Sequence, residues 1–255
     1  MNEIKTHKLN FNGKELLFSH SSNDPSGSGC IREIVVNNDY NLDRFEGLDG
    51  ETLIDIGSNN GLVAIILAIQ NPKSKIIAVE PSLELCEIID INIRQNGINN
   101  IELIQKAFSE RKDTIEFILS NLCTGASFAG ASDEESFKKF SSKAFVDSKL
   151  PYKKYNVETI SFDDIIRDRS IDKVEFLKID CEGGEYSLYQ SDYFKRGIVN
   201  HVSGELHETD WLKSSEGDAN RLLRFIRLHA IGQIDMTILN IRNGIVKESK
   251  IQNFQ

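Results

Sequence analysis

The chain has 255 residues, 40% hydrophobic and 27% charged, which suits one large α/β domain and leaves little room for two full ones. Its formal net charge of -9 at pH 7 argues against general binding to nucleic acid or to an anionic membrane, because proteins that neutralise phosphates carry an excess of Lys and Arg. The N-terminal MNEIKTHKLNFNGKELL lacks the apolar centre of a signal peptide, and the longest apolar run, Leu62 to Ile69, falls far short of the roughly 20 residues of a membrane helix. No membrane span and a cytoplasmic location are therefore expected. Cys30, Cys86, Cys123 and Cys181 are widely separated and form no C-x-x-C pair, so neither a zinc knuckle nor a redox motif is supported.

In chain order, Thr6 to Phe11 and Lys14 to His20 flank Asn12-Gly13, a dipeptide that tolerates positive φ and closes a tight hairpin. Ser21 to Gly29 reads as a flexible loop, and CIREIVVNNDYNL as a short helix with no independent core. Residues 1–50 are thus expected to form a hairpin and helical extension, and 51–255 the main domain. From Thr52 the pattern becomes regular, with strands at 52–56, 75–79 and 101–105 alternating with helices at about 60–70 and 82–96. Alternation of this kind implies a parallel sheet covered on both faces. Thr114 to Leu119 reads as a further strand, and about 120–156 as an insertion. The rhythm resumes with strand 157–160, a helix capped by Ser161, strand 174–179, helix 184–191, strand 199–206 and helix 218–230. It ends in strands 234–241 and 245–249 around Asn243-Gly244.

Three segments carry candidate chemistry. In TLIDIGSNNGL, an acidic residue, Asp55, stands at the end of a core strand, and Gly57 and Gly61 let the backbone bend and approach a ligand below the N-terminus of the next helix. Asn59 and Asn60 either bond a ligand carboxylate or cap that helix. Glu80 ends the next strand, where a carboxylate can accept both ribose hydroxyls of an adenosine. In KIDCEGGEY, Asp180, Glu182 and Glu185 crowd the same sheet edge, an arrangement that a sulfonium donor or a cation would offset; Glu185 can equally be the start of a helix. In GELHE, Glu205 and His207 share one face if the strand reaches that far, and a carboxylate beside an imidazole makes a plausible general base. His7, His20, His201 and His229 have no comparable company.

The order of TLIDIGSNNG, IIAVEPS, IELIQKAFSE, ETISFDDII, VEFLKIDCEGGEY and a strand with ELH resembles the FkbM family of S-adenosylmethionine-dependent methyltransferases, over roughly Leu48 to His207. The resemblance implies a Rossmann-like class I methyltransferase fold, α/β with a doubly wound, mostly parallel sheet and a C-terminal antiparallel hairpin. It implies S-adenosylmethionine as methyl donor and a hydroxyl acceptor on a sugar, glycan, polyketide or other secondary metabolite. Asp55, Gly57, Asn59 and Gly61 would hold the methionine end, Glu80 the ribose and Ala107 the adenine edge. Asp180, Glu182, Glu205 and His207 would surround the acceptor. Ser58 stands where alanine is frequent in the family, and Gly184 where many members carry Ala; both are small.

A hydroxyl must lose its proton to attack the sulfonium methyl, and His207 is the first candidate for the base, with Asp180 second. A divalent cation held by Asp180, Glu205 and His207 is an alternative way to activate that hydroxyl, Mg²⁺ or Mn²⁺ suiting such ligands. Rival readings are an NAD-dependent oxidoreductase, which lacks its G-x-G-x-x-G here, and a methyltransferase acting on nucleic acid or protein, suggested by the lysines of the insertion. Phe128, Phe137, Phe140, Phe145, Tyr152 and Tyr155 make that insertion a candidate acceptor lid.

Overall fold

A computed structural model describes residues 3–120, 128–129, 152–209, 218–242 and 245–253. Its centre is a seven-stranded sheet in the order β13-β12-β11-β10-β3-β4-β5. The strands are β3 (Thr52–Ile56), β4 (Lys75–Val79), β5 (Ile101–Ile104), β10 (Val174–Ile179), β11 (Val199–Thr209), β12 (Ile234–Arg242) and β13 (Ile245–Asn253). All neighbours pair in parallel except β12 with β13. The chain winds outward from β3 to β5, returns to β10 and winds the other way. The strand order therefore reverses between β3 and β10, where open α/β sheets bind their ligands.

Two apolar layers cover the sheet. On one face, α2 (Leu62–Gln70) is buried along almost its whole length, which explains why LVAIILAI is apolar on every side instead of amphipathic. What covers its outer side is the N-terminal segment: Phe11, Leu16, Phe18, Ile34, Tyr40, Leu42 and Phe45 belong to the same core. The hairpin of β1 (Ile4–Phe11) and β2 (Lys14–Ser21) is also bonded to α3 (Leu83–Gln95), with Asn92 Oδ1 accepting from Ser19 N at 2.7 Å and Asn92 Nδ2 donating to Ser19 O at 3.0 Å. On the other face, α4 (Phe162–Asp168) and α5 (Ala219–His229) pack Phe162, Ile165, Leu222 and Ile226 against Leu177, Val202 and Ile234.

Several local expectations change. The loop expected at Ser21 to Gly29 contains a short helix, α1 (Pro25–Cys30), whose first turn is capped by the Asp24 side chain. Thr114–Ser120 (β7) does not extend the central sheet. It pairs antiparallel with Tyr152–Ile160 (β9), longer than expected, in a second sheet completed by β6 (Ala107–Phe108) and β8 (Phe128–Ala129). The segment between β5 and β7 is too short for the crossover helix that a further parallel strand requires. Residues 184–190 form a 3-10 helix. Most of the expected lid, including Phe137, Phe140 and Phe145, lies outside the described residues.

Candidate active site

At the end of β3 the backbone N–H groups of Gly57 and Ser58 both donate to Val79 O at 3.0 Å, which ties the glycine turn to β4. Gly57 has φ 77°, and a Cβ there would stand 1.8 Å from Asp180 O, so the turns after β3 and β10 touch through a glycine. Asn59, at φ 51°, turns its own N–H to Glu80 Oε2 at 2.9 Å, while Ser82 N donates to Glu80 Oε1 at 2.9 Å. Burial pushes the Glu80 carboxyl up to about 7 against those two hydrogen bonds. Gly61 opens α2, and Asn60 beside it is fully buried, with no hydrogen-bond partner for its Oδ1 among the described residues. Ala107 is buried in β6, opposite Thr159. A glycine cradle, an orphaned amide oxygen and a strand-end carboxylate fit the amino-acid and ribose ends of an adenosyl cofactor.

Asp55 is placed differently from a simple strand-end ligand. It is fully buried, and Lys178 Nζ stands 3.3 Å from its Oδ1. Lys178, itself buried, also donates to Gly57 O at 2.6 Å and lies 3.8 Å from Asp180 Oδ2. One ammonium therefore joins β3, the glycine turn and the first residue of the acidic turn. Tyr40 completes this junction from the N-terminal segment: its hydroxyl donates to Asp180 Oδ2 at 3.0 Å, and Lys178 Nζ lies 5.6 Å from its ring centroid.

β11 extends through Glu205 and His207, so these residues do share a face. The close approach that allows this is at Gly204, where a Cβ would meet Ile179 O at 1.8 Å. His207 is almost wholly buried. Its Nε2 lies 3.5 Å from Glu182 Oε2, 3.8 Å from Glu205 Oε2 and 3.9 Å from Asp180 Oδ1, while Nδ1 lies 3.0 Å from Glu185 Oε1. The four expected residues Asp180, Glu182, Glu205 and His207 thus converge. Glu185 is more than a helix start: fully buried, it accepts from Cys181 N and Gly183 N at 2.8 Å each and orients the imidazole. Glu182, at φ 54°, is held in the left-handed region that non-glycine residues seldom occupy.

Burial on its own would lower the His207 pKa, but Glu182, Glu185 and Asp180 outweigh it and raise it well above the usual value. Burial pushes Glu182 up to about 7, and burial with the neighbouring Asp180 charge raises Glu205. Glu182 and Glu205 therefore resist ionising beside the other carboxylates unless positive charge is present. Ligand atoms of Asp180, Glu185 and His207 all lie within 4.8 Å of one another, so this is also where a metal ion has donors.

Lys178 and Tyr40 were not singled out by sequence. A lysine inside VEFLKI is a signal in itself, since unpaired lysines are almost never fully buried, whereas nothing local marks Tyr40. Three of the remaining histidines have partners that the sequence did not show. His7 and His20 meet through their Nε2 atoms at 3.0 Å across the N-terminal hairpin, and His201 Nε2 lies 3.7 Å from Glu175 Oε1 on the neighbouring strand. Strand pairing brings both sets together.

A glycine turn at the reversal point of a mostly parallel sheet, followed by an acid at the end of the next strand, defines a Rossmann-like enzyme that binds an adenosyl cofactor. The chain belongs to the FkbM methyltransferase family, whose domain model (Methyltransferase FkbM domain) matches residues 55–236, and its methyl donor is S-adenosylmethionine. Among curated proteins it is similar to the ribosomal RNA small subunit methyltransferase G of Helicobacter pylori strain HPAG1, 28% identical over 116 residues, covering 44% of this chain and 65% of that protein. The same-named protein of strain J99 is 30% identical over 82 residues, covering 31% of this chain and 46% of that one. The chain thus spans less than two thirds of the length of both relatives. A solved structure, the precorrin-6y C5,15-methyltransferase of Geobacter metallireducens GS-15, overlaps with a TM-score of 0.41 at 11% identity, covering 84% of this chain and 82% of that one.

Proposed function

We propose that the protein transfers the methyl group of S-adenosylmethionine to a hydroxyl of a sugar, glycan or other small metabolite. The observation that carries this reading is the convergence of Asp180, Glu182, Glu205 and His207, anchored by Glu185, beside the donor turn to which Lys178 links it. In this reading Asp55, Gly57, Asn59 and Gly61 shape the methionine end of the donor site, Glu80 takes the ribose hydroxyls and Ala107 borders the adenine. The acceptor oxygen forms a bond to the methyl carbon as the carbon–sulfur bond breaks, and sulfur keeps that electron pair. The hydroxyl proton passes to a carboxylate of that cluster. Because the methyl is already activated, alignment of the two substrates supplies much of the acceleration.

The test is transfer from isotopically labelled S-adenosylmethionine to a panel of hydroxylated glycans and metabolites. Substituting His207→Ala is expected to lower kcat by roughly 10²- to 10⁴-fold while donor affinity stays within about two-fold. Unchanged turnover removes His207 from the mechanism. The ribosomal RNA methyltransferases among the relatives favour RNA as the rival acceptor, while the net charge of -9 favours a small one. Labelling of RNA alone, with binding that weakens steeply as salt rises, overturns the small-molecule reading.

A further inference from the structure

We propose that Asp180, Glu182, Glu205 and Nε2 of His207 bind one divalent transition-metal cation, with Glu185 as the positioning residue that aims the imidazole at it. This deepens the proposed function and rests on the reading that the cluster faces the acceptor. Two separate observations support it. The first is geometric. Nε2 looks onto three carboxylate oxygens, from three different side chains, at 3.5, 3.8 and 3.9 Å, and it makes no hydrogen bond among the described residues. Ligand atoms bound at about 2.1 Å from one ion lie roughly 3.0–3.5 Å apart, so on binding an ion the three oxygens close toward one another as well as toward Nε2.

The second observation is the imidazole itself. His207 is only 2% exposed, yet its Nε2 is aimed into the cluster while Nδ1 is held by Glu185. Glu185 is in turn fixed by the N–H groups of Cys181 and Gly183. A carboxylate that holds one ring nitrogen so that the other faces a ligand position is the arrangement found around metal-bound histidines. The ammonium nearest the acidic groups, Lys178, is already engaged with Asp55 and Gly57 O and reaches Asp180 only at 3.8 Å. Side chains of Asp180, Glu182 and Glu205 remain 22–28% exposed, which leaves the open side of the site toward solvent and acceptor. One imidazole with several carboxylate oxygens suits Mn²⁺ among first-row ions. An acceptor hydroxyl joining that ion loses its proton more readily, to a carboxylate oxygen of the set that does not ligate.

The experiment titrates Mn²⁺ into the full chain after stripping with a chelator, following free Mn²⁺ by electron paramagnetic resonance and bound Mn²⁺ by pulsed measurements of nitrogen coupling. One ion per chain with a single imidazole coupling is expected. His207→Ala should abolish the coupling, Glu205→Gln should weaken binding at least ten-fold, and Glu185→Gln should weaken it roughly 10- to 100-fold, with Glu185→Asp recovering part. Calorimetry with S-adenosylmethionine checks that each variant is folded. Absence of stoichiometric binding overturns the proposal, as does binding undiminished in both His207→Ala and Glu205→Gln. If those variants also lose the donor, the nitrogen coupling in the unaltered protein decides: present, it sustains the site; absent, it overturns it. Mn²⁺ bound with that coupling, but no methylated hydroxyl acceptor, leaves the site standing and defeats the proposed function. Methylation of a hydroxyl by a protein that binds no ion does the reverse.

Discussion

Replacing Lys178 with Met removes the ammonium that joins the glycine turn to the acidic turn and leaves Asp55 buried without a cation. At the observed 3.3 Å, and with an effective dielectric of about 20, the lost attraction is about 5 kcal/mol. Breaking one side of a buried ion pair typically costs about 3–5 kcal/mol, a large share of an ordinary domain's stability. The Asp55 carboxyl is already raised by burial, and Lys178 is the main force holding it down. Without the lysine it rises further. A carboxyl whose folded pKa exceeds its unfolded value binds protons more readily in the native state, so the variant regains stability as pH falls through that folded pKa. Urea unfolding should therefore show a deficit of about 3–5 kcal/mol at pH 8, shrinking by up to about 1.4 kcal/mol per pH unit on acidification. Adding Asp55→Asn to the same chain should restore much of the loss at pH 8. A deficit below about 1 kcal/mol, or a double variant no more stable than the single one, would refute the reasoning.

Other expectations follow from the donor side. Gly57→Ala forces an L residue into φ 77° and drives its Cβ against Asp180 O. It should cost at least about 2 kcal/mol in urea unfolding and weaken donor binding ten-fold or more; an unperturbed variant means the two turns separate easily. Glu80, raised to about 7 by burial, is half protonated near neutrality, and ribose hydroxyls that donate to it favour the ionised form. Donor binding at pH 7 should then release up to about 0.5 proton and tighten from pH 6 to 8, seen by calorimetry in buffers of different ionisation enthalpy. Proton release insensitive to Glu80→Gln would place the ribose elsewhere. Without donor, the same raised carboxyl contributes most to folding below its unfolded value, and that contribution is lost as pH rises through about 7. Tyr40→Phe removes the hydroxyl held at 3.0 Å from Asp180. It should cost about 1–3 kcal/mol in thermal unfolding, and a neutral result would mean that water replaces it fully.

Short-range pattern alone determined much of this protein. The run TLIDI, the turn SNNG and the helix behind them follow from apolar burial and glycine freedom within a dozen residues, and they are found where expected. Glu205 and His207 needed only a strand's two-residue period to fall on one face, provided the strand continued, and it runs to Thr209. Tertiary structure decided what those residues touch. Lys178 and Asp55 sit on adjacent strands far apart in sequence, and Tyr40 reaches Asp180 from a segment with no pattern of its own. Glu185 reads locally as one of a crowd of carboxylates or as a helix start, and only the parallel pairing of β10 with β11, which carries His207 beside it, makes it the anchor of the imidazole. The excursion of β7 and β9 into a second sheet was likewise hidden, because strand propensity does not say which strand is the partner. Local chemistry lies within the reach of neighbouring residues, whereas charge pairing across strands depends on which strands the whole chain brings side by side.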